Sequence, residues 1–172
     1  MQSGCLQVYT GDGKGKTTAA LGLALRAVGA GLRVFIGQFI KSGDYGEIRA
    51  LKEFLPQVAV RQYGRGRFVK GVPAPEDIRA AAAGLAGLRQ ALCGGEYDLV
   101  IADEANCAVS AGLFGVAELL QLADARPAGV ELVITGRNAH PQLLARADLV
   151  TDMRAIKHPF QSGITARQGI EF

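Results

Sequence analysis

The chain has 172 residues, and its 49% hydrophobic and 20% charged content is typical of one globular domain spanning residues 1–172. The net charge of +3 is too small to indicate nucleic acid as a partner, although it suits anionic ligands. Three cysteines without a CxxC spacing, no signal-like N terminus and no apolar stretch of membrane length argue against disulfide, zinc-site and membrane proteins, and favour a cytoplasmic one.

Short apolar runs of strand length alternate with segments of helical pattern along most of the chain. In chain order, we predict a strand at residues 6–10, a helix at 16–30, strands at 33–40 and 58–62, a helix at 76–93, a strand at 99–102, a helix at 114–123, a strand at 130–135, a helix at 141–147 and a strand at 147–153. Continuous apolar runs are typical of strands buried on both faces, and strands that alternate with helices indicate a mainly parallel sheet. The sequence therefore predicts a three-layer α/β/α domain.

Three further segments have weaker patterns. We expect a short helix within residues 42–55, a long loop at residues 64–75, and an additional strand at an edge of the sheet within residues 162–172. Long ordered loops in compact domains are often functional, which makes the 64–75 loop a candidate part of a binding site.

A glycine-rich segment, TGDGKGKTT, joins the first predicted strand to the first predicted helix. Glycines let successive N–H groups point at phosphate oxygens, and the helix N terminus adds the positive end of its dipole. Lys16 supplies a charge to the phosphates, and the Thr17 hydroxyl is placed to bind Mg²⁺. The segment therefore predicts a site for a nucleoside triphosphate, ATP with Mg²⁺, formed by Thr10, Gly11, Asp12, Gly13, Lys14, Gly15, Lys16, Thr17 and Thr18.

The segment departs from the standard phosphate loop, GxxxxGK[ST], at its first position. Thr10 stands where the pattern has glycine, and Asp12 and Lys14 are also unusual. The departure indicates a phosphate chain that is handled differently from that of enzymes which hydrolyse the γ-phosphate.

Two acidic residues, Asp103 and Glu104, follow the predicted strand at 99–102. Ligands of a parallel sheet bind beyond the carboxyl ends of the strands, so an acid here can hold Mg²⁺ opposite Thr17. We expect the two side chains to point to different sides, so that one of them binds the metal. Either residue fits that position, and Glu104 is the one we favour.

Three other polar residues follow predicted strands or begin predicted helices. Arg137 follows the strand at 130–135 and fits a contact to the nucleotide, with a salt bridge that holds the loop as the alternative. His140 precedes a proline at a helix start, which favours a capping role. Cys107 fits a buried, small apolar residue better than a nucleophile.

Four stretches resemble the ATP:corrinoid adenosyltransferases that act on cob(I)alamin and cobyrinic acid a,c-diamide. They are residues 10–31, residues 34–41, the run Asp103-Glu104-Ala105, and residues 133–172 with TGR at 135–137, Lys157-His158 and a closing GIEF. The stretches are collinear with that family and cover most of the chain.

The resemblance implies a P-loop NTPase-like fold and a reaction in which the Co(I) of a reduced corrinoid attacks C5′ of ATP. The 5′-deoxyadenosyl group moves to cobalt, and triphosphate leaves whole. Lys14, Lys16 and a Mg²⁺ ion on Thr17 and Glu104 would neutralise the leaving triphosphate, which makes Lys16, Thr17 and Glu104 the expected catalytic residues. The family also implies a flavoprotein that supplies the electron.

The resemblance places the corrinoid near Phe68 and His158. Some relatives use aromatic residues near the 64–75 loop to displace the lower cobalt ligand, and Phe68 fits that role, with a loop anchor in the core as the alternative. His158 could donate to corrin amides or phosphates, or bind cobalt. Relatives often carry an N-terminal extension over the corrin, whereas the phosphate loop begins at Thr10 here, which leaves the 64–75 loop or the second subunit of a homodimer to cover it.

Two other functions fit the fold and the phosphate loop. One is a P-loop ATPase or phosphoryl transferase, in which Glu104 would position the nucleophile. The other is a non-catalytic module that binds ATP or a corrinoid. Because function depends on the site rather than on the fold, only the resemblance favours adenosyl transfer over these two.

Overall fold

Residues 3–66 and 71–171 are described by a computed structural model of the chain. The strands are β1 (Leu6–Thr10), β2 (Val34–Gln38), β3 (Val58–Gln62), β4 (Leu99–Asp103), β5 (Glu131–Thr135) and β6 (Leu149–Asp152). The helices are α1 (Lys16–Gly29), α2 (Gly46–Phe54), α3 (Pro75–Cys93), α4 (Ala105–Ser110), α5 (Val116–Asp124), α6 (Pro141–Arg146) and a 3₁₀-helix (Pro159–Ser162).

The six strands form one sheet in the order β3-β2-β4-β5-β1-β6, and every neighbouring pair is parallel. The predicted mainly parallel sheet is therefore confirmed. Because parallel strands end at the same edge, the loops that follow β1, β2, β4 and β5 all emerge on one side of the molecule. This edge carries the phosphate loop and the acidic pair.

Helices cover both faces of the sheet, as the α/β/α prediction requires. On one face, alternate strand residues such as Val8, Val100 and Leu132 pack in a buried cluster with residues of α3, α5 and α6. On the other face, residues such as Ile101 and Val133 pack with Ala20, Ala24 and Ala27 of α1 and Leu51 of α2. Alternation of side chains along each strand divides the core between the two layers.

The structure corrects the prediction for the C-terminal segment and extends it at α4. Residues 163–171 contain no strand, so the additional edge strand predicted within 162–172 is wrong, and β6 forms that edge of the sheet instead. Gly163 and Gly169 have φ values of 73° and 77°, which turn the chain and break an extended conformation. The helix α4 follows β4 directly and is too short to show a helical period in the sequence.

The less regular segments agree with expectation where they are described. The short helix expected within residues 42–55 is α2, and residues 64–66 and 71–74 are irregular. Phe68, assigned by resemblance to the corrinoid, lies outside the described residues. Across residues 3–66 and 71–171, no helix combines the length and the hydropathy needed to cross a bilayer.

Candidate functional site

The phosphate loop, residues 11–15, connects β1 to the N terminus of α1. Gly11 and Gly15 have φ values of 93° and 115°, in the left-handed region that favours glycine. A Cβ atom on Gly13 would lie 2.6 Å from the carbonyl oxygen of Met153, to which the Gly13 N–H already donates over 2.6 Å. The glycines therefore allow both the curl of the loop and its close packing against the chain that follows β6.

Lys16 lies inside the loop rather than in solvent, with only 8% of its surface exposed. Its ammonium donates to the carbonyl oxygens of Gly11 and Gly13, each over 2.6 Å. Burial, followed by the nearby positive charge of Arg137, lowers the pKa of Lys16. Two cations that face one another across the end of the loop make this position attractive to an anion such as phosphate.

The remaining polar side chains of the loop point outward. Asp12, Lys14 and Thr18 are exposed, and Lys14 forms an ion pair with Glu171 near the C terminus. Glu171 also accepts from the Arg167 guanidinium, and Arg167 and Lys14 together hold the pKa of Glu171 well below its usual range. The C-terminal segment is thereby tied to the phosphate loop through Lys14.

Thr10, the residue that departs from the standard loop pattern, has a structural contact that a glycine could not make. It is 9% exposed, and its Oγ1 accepts from the backbone N–H of Ala139 over 3.2 Å. This hydrogen bond joins the end of β1 to the loop that follows β5. The departure from glycine at this position therefore links two loops of the site.

Asp103, at the end of β4, is 1% exposed and accepts hydrogen bonds from four side chains. Its Oδ1 accepts from the hydroxyls of Thr17 (2.8 Å) and Thr135 (2.7 Å). Its Oδ2 accepts from the Gln38 amide (3.1 Å) and the Lys41 ammonium (3.0 Å). The donors come from α1, β5, β2 and the loop after β2, so the buried carboxylate joins these elements and is fully satisfied.

Glu104 shares the Lys41 ammonium with Asp103. Its φ is 59°, its N–H donates to Thr135 Oγ1 over 3.0 Å, and its carboxylate lies 3.7 Å from the Lys41 ammonium. The expectation that Asp103 and Glu104 point to different sides is therefore wrong. Alternation applies to an extended strand, and the left-handed backbone at Glu104 ends it.

Lys41 is a site residue that the sequence reasoning did not assign. Its ammonium contacts Asp103, Glu104 and the Thr17 hydroxyl, the last over 3.3 Å. Burial opposes its charge, but the carboxylates of Asp103 and Glu104 outweigh burial and raise the pKa of Lys41. Lys41 comes just after β2, and β2 neighbours β4 in the sheet. The sequence does not show which strands are neighbours, so it gave no sign that Lys41 would reach the two acids.

Comparison with known proteins gives a match over almost the whole chain. Residues 2–172 match the family described as ATP:corrinoid adenosyltransferase BtuR/CobO/CobP. The chain belongs to the ATP:corrinoid adenosyltransferase family. It is therefore a transferase of an alkyl group, and the resemblance seen in the sequence is confirmed.

Curated relatives agree with the family match. The corrinoid adenosyltransferase of Pseudomonas aeruginosa is 37% identical over 172 residues, which are 99% of this chain and 85% of that protein. The corrinoid adenosyltransferase CobA of Salmonella typhimurium and the corrinoid adenosyltransferase of Escherichia coli strain K12 are each 35% identical, over 99% of this chain and 87% of their own length. Membership in the adenosyltransferase family thus rests on nearly the full chain.

The oxygen atoms around Lys41 are of the kind that Mg²⁺ prefers. They are the hydroxyl of Thr17 and the carboxylates of Asp103 and Glu104. Mg²⁺ is commonly held by one or two carboxylates together with waters and substrate phosphates. Within the described ranges, no group of three or more His, Cys, Asp or Glu residues could hold a metal. The donor set is thus limited to one hydroxyl and two carboxylates, which are oxygen ligands of the type that Mg²⁺ accepts.

Arg137 begins the loop after β5 and is exposed at the same edge as Lys16. Its backbone N–H donates to the Cys107 sulfur over 3.2 Å, which anchors the loop that follows β5. Burial, with a smaller contribution from Glu104, raises the pKa of the Cys107 thiol to about 12. Cys107 is thus only partly buried, contrary to the expectation of a buried residue, and its raised pKa keeps the thiol protonated at neutral pH, which disfavours a role as a nucleophile.

The two histidines lie at helix starts. His140 caps α6 by accepting from the Gln142 N–H over 3.2 Å, which confirms the capping role expected for it. His158 accepts from the Phe160 N–H over 3.2 Å and lines a cavity of about 120 Å³ together with Lys14 and Glu171. The structure therefore brings His158 next to the phosphate loop, with its Nε2 not used by the cap.

Proposed function

We propose that the chain transfers the 5′-deoxyadenosyl group of ATP to the Co(I) of a reduced corrinoid, cobalamin or cobyrinic acid a,c-diamide, and releases triphosphate. The family supplies the reaction class, adenosyl transfer to a corrinoid. ATP as the donor, Mg²⁺ as its partner and intact triphosphate as the product are the finer parts of the proposal.

One observation carries the proposal: cationic and oxygen-rich groups converge where β1, β4 and β5 end. The positive charge of Arg137 lies close enough to Lys16 at the phosphate loop to lower its pKa, after burial, and the Thr17 hydroxyl lies 2.8 Å from Asp103. Such a site suits a polyphosphate with a divalent cation. In this proposal the P-loop would hold the triphosphate, the part of ATP that leaves in adenosyl transfer.

The protein's residues contribute mainly position and charge in this reaction. Co(I) donates an electron pair to C5′, the Co–C bond forms, and the C5′–O bond breaks with its electron pair left on triphosphate. Lys16, Lys14 and Arg137 would stabilise the negative charge that develops there, which needs no general base. Mg²⁺, when bound, would neutralise further charge on the triphosphate.

In this proposal the two acids, Asp103 and Glu104, have different roles. Asp103 accepts four hydrogen bonds and holds Thr17 in place, whereas Glu104 is half-buried and retains free acceptor capacity. Glu104 is therefore the proposed carboxylate ligand of Mg²⁺, together with Thr17. Asp103 orients the Thr17 hydroxyl.

The corrinoid would approach from the side of His158, with Phe68 of the 64–75 loop or a second subunit of a homodimer covering it. A reduced flavoprotein is the proposed source of the electron that produces Co(I). The reducing cytoplasm is the compartment that suits this chemistry.

An anaerobic assay with ATP, Mg²⁺ and chemically reduced cob(I)alamin or cob(I)yrinic acid a,c-diamide tests the proposal. Formation of a light-sensitive adenosylcorrinoid with one triphosphate per turnover is expected. ADP and phosphate without a change at cobalt, for both corrinoids, would favour the ATPase alternative. Binding of ATP without any turnover would favour a non-catalytic module.

Lys16→Ala gives the matched variant for this assay. We expect a loss of about 100-fold or more in kcat/KM for ATP, the scale seen when a charge-stabilising donor is removed. Lys52→Ala, at an exposed position on α2, is the control and should retain full activity. Near-normal adenosylation by the Lys16 variant would refute the phosphate-loop assignment.

A further inference from the structure

The Lys41 ammonium lies among three oxygen donors of the site. Its Nζ lies 3.0 Å from Asp103, 3.3 Å from Thr17 Oγ1 and 3.7 Å from Glu104. Two of these groups, Thr17 and Glu104, are the proposed ligands of Mg²⁺. An ammonium and a Mg²⁺ ion, whose oxygen ligands lie about 2.1 Å away, cannot occupy the same set of donors together.

The backbone is built to bring Lys41 to this point. Ile40, the residue before it, has a φ of 65°, which is strained for a β-branched residue. The turn is held by Gly64, whose N–H donates to the Lys41 carbonyl over 3.2 Å and whose missing side chain leaves room for the Ile40 carbonyl. Strain of this kind persists where the surrounding structure requires it, and here it directs Lys41 into the acidic pair.

The burial of the acidic pair explains why a cation is needed there. The Asp103 side chain is 1% exposed, and that of Glu104 is 23% exposed. Two neighbouring carboxylates withdrawn from water repel each other unless a positive charge lies between them. Lys41 is the described cation that contacts both, so it holds them in position before any ligand arrives.

We propose that Lys41 is an internal counter-cation that Mg²⁺ must displace, so that the metal binds strongly only together with a nucleotide. The inference rests on the proposed function, since it takes Mg²⁺·ATP as the ligand. The displaced ammonium, on its flexible four-carbon stem, gains a phosphate oxygen as its new partner. Metal and nucleotide binding are thereby coupled, and Lys41 is a positioning residue that sets the coupling.

Binding of Mn²⁺, a spectroscopic substitute for Mg²⁺, tests the proposal on the folded chain without turnover. Electron paramagnetic resonance of free Mn²⁺ gives its affinity with and without ATP. Without ATP, Lys41→Met should bind Mn²⁺ at least about 10-fold more tightly than the unsubstituted protein, and the difference should shrink when ATP is present. Unchanged or weaker binding by Lys41→Met would overturn the proposal.

Two control variants separate charge from bulk. Lys41→Arg keeps the positive charge and should keep the weak Mn²⁺ affinity of the unsubstituted protein. Lys52→Met removes an exposed lysine from α2 and should leave Mn²⁺ affinity unchanged. A tighter Mn²⁺ site in either control would show that the effect does not arise from displacement of Lys41.

A second measurement uses the unsubstituted chain and does not depend on the folding of a variant. Acetylation by acetic anhydride, followed by mass spectrometry, reports the exposure of each lysine amine. Without nucleotide, Mg²⁺ at the concentration that saturates the protein in the presence of ATP should leave the Lys41 acetylation rate unchanged. Only a much higher Mg²⁺ concentration, enough to fill the weak site, should raise the Lys41 rate several-fold while that of Lys52 stays constant, because bound Mg²⁺ releases the ammonium from the carboxylates. A Lys41 rate that stays unchanged once the weak site is filled would overturn the proposal.

The outcomes also distinguish this inference from the proposed function. If Mn²⁺ binds neither the unsubstituted protein nor Lys41→Met, even with ATP, the metal site of the proposed function is wrong and the inference falls with it. If Mn²⁺·ATP binds the unsubstituted protein but Lys41→Met shows no gain without ATP, the role of Lys41 alone is refuted.

Discussion

Asp103 is the residue at which the hydrogen bonds of the site converge. Its four donors come from four separate segments of the chain, and it is 1% exposed. Glu104, its neighbour in sequence, is half-buried and meets Lys41 at the longer distance of 3.7 Å. The two acids therefore differ in what they contribute to folding, although their chemistry is alike.

Neutralising each acid in turn should reveal this difference. Asp103→Asn leaves the Lys41 ammonium without its main partner and should lower the free energy of unfolding by about 3 kcal/mol, as for other broken buried pairs. Glu104→Gln is the matched control and should cost under about 1 kcal/mol. Urea denaturation at neutral pH measures both values, and equal losses would contradict the view that Asp103 organises the site.

Cys107 provides a pH-dependent prediction at the same scale. Its pKa is raised to about 12, so its reactive thiolate is scarce at pH 8, whereas Cys5 and Cys93 are exposed. Iodoacetamide should modify Cys5 and Cys93 at least about 100-fold faster than Cys107 in the native protein, as peptide mass spectrometry would show. Comparable rates for all three thiols would argue against the raised pKa of Cys107.

The sign of the Cys107 shift also has a consequence for stability. A raised pKa means that the folded state favours the neutral thiol. The contribution of Cys107 to the free energy of unfolding should therefore be constant below about pH 9. It should decrease as pH rises from there toward 12. Cys107→Ala should remove that part of the alkaline decrease.

At the scale of elements, α3 packs against the chain after β3 so closely that it needs glycine. A Cβ atom on Gly87 would lie 2.2 Å from the Tyr63 hydroxyl, and one on Gly84 would lie 2.6 Å from the Phe39 ring. The Tyr63 hydroxyl is buried and has no hydrogen-bond partner among the described residues. These contacts hold α3 over β2 and over the turn that leads to Lys41.

Two glycine-to-alanine variants in helices test whether steric packing or helix propensity decides the stability at each position. Gly87→Ala gains about 1 kcal/mol of propensity but forces Tyr63 to move, and should destabilise the protein by about 1–2 kcal/mol net. Gly22→Ala, where an added Cβ meets nothing within 4 Å, is the control and should stabilise it by about 0.5–1 kcal/mol. Thermal denaturation measures both, and stabilisation by Gly87→Ala would refute the close packing.

The bounds of the strands and helices show how well local sequence patterns predict secondary structure. All six strands lie within two residues of their predicted bounds because continuous apolar runs mark buried parallel strands. β2 ends two residues early, since the chain turns at Ile40, and α4 is too short for its period to appear. Both differences depend on contacts with other elements, which a local pattern does not contain.

At the scale of the whole molecule, the C-terminal segment returns to the phosphate loop. Glu171 pairs with Lys14 across more than 150 residues of chain and is also held by Arg167. The carboxylate of Glu171 lies where it would compete with phosphate oxygens for the Lys14 ammonium. The C-terminal segment thus meets the phosphate loop at the edge of the sheet where the strands end.

Glu171→Gln tests that competition. Freed from its ion pair, Lys14 should bind ATP more readily and lower the Kd for ATP by about 2- to 5-fold at low salt, the range of an exposed ion pair. Glu53→Gln, at an exposed position on α2, should leave the Kd unchanged. Calorimetry measures both, and a higher Kd for Glu171→Gln would mean that Glu171 positions Lys14 for the nucleotide instead of competing with it.

The sequence by itself determined the alternation of strands and helices, the phosphate loop at residues 11–15, and the acids after β4. Each of these depends on residues that are near one another along the chain, where periodicity, glycine content and helix starts are visible. The family resemblance, carried by local motifs in order, was available for the same reason.

Only the tertiary structure decided which strand ends are neighbours and which side chains therefore meet. The order β3-β2-β4-β5-β1-β6 brings Lys41 after β2 and Thr135 of β5 to Asp103, and the close approach of β6 and β1 places Met153 against Gly13. Strand order follows from the packing of helices on both faces, a balance of contacts between distant residues. No pattern within a single segment records that balance.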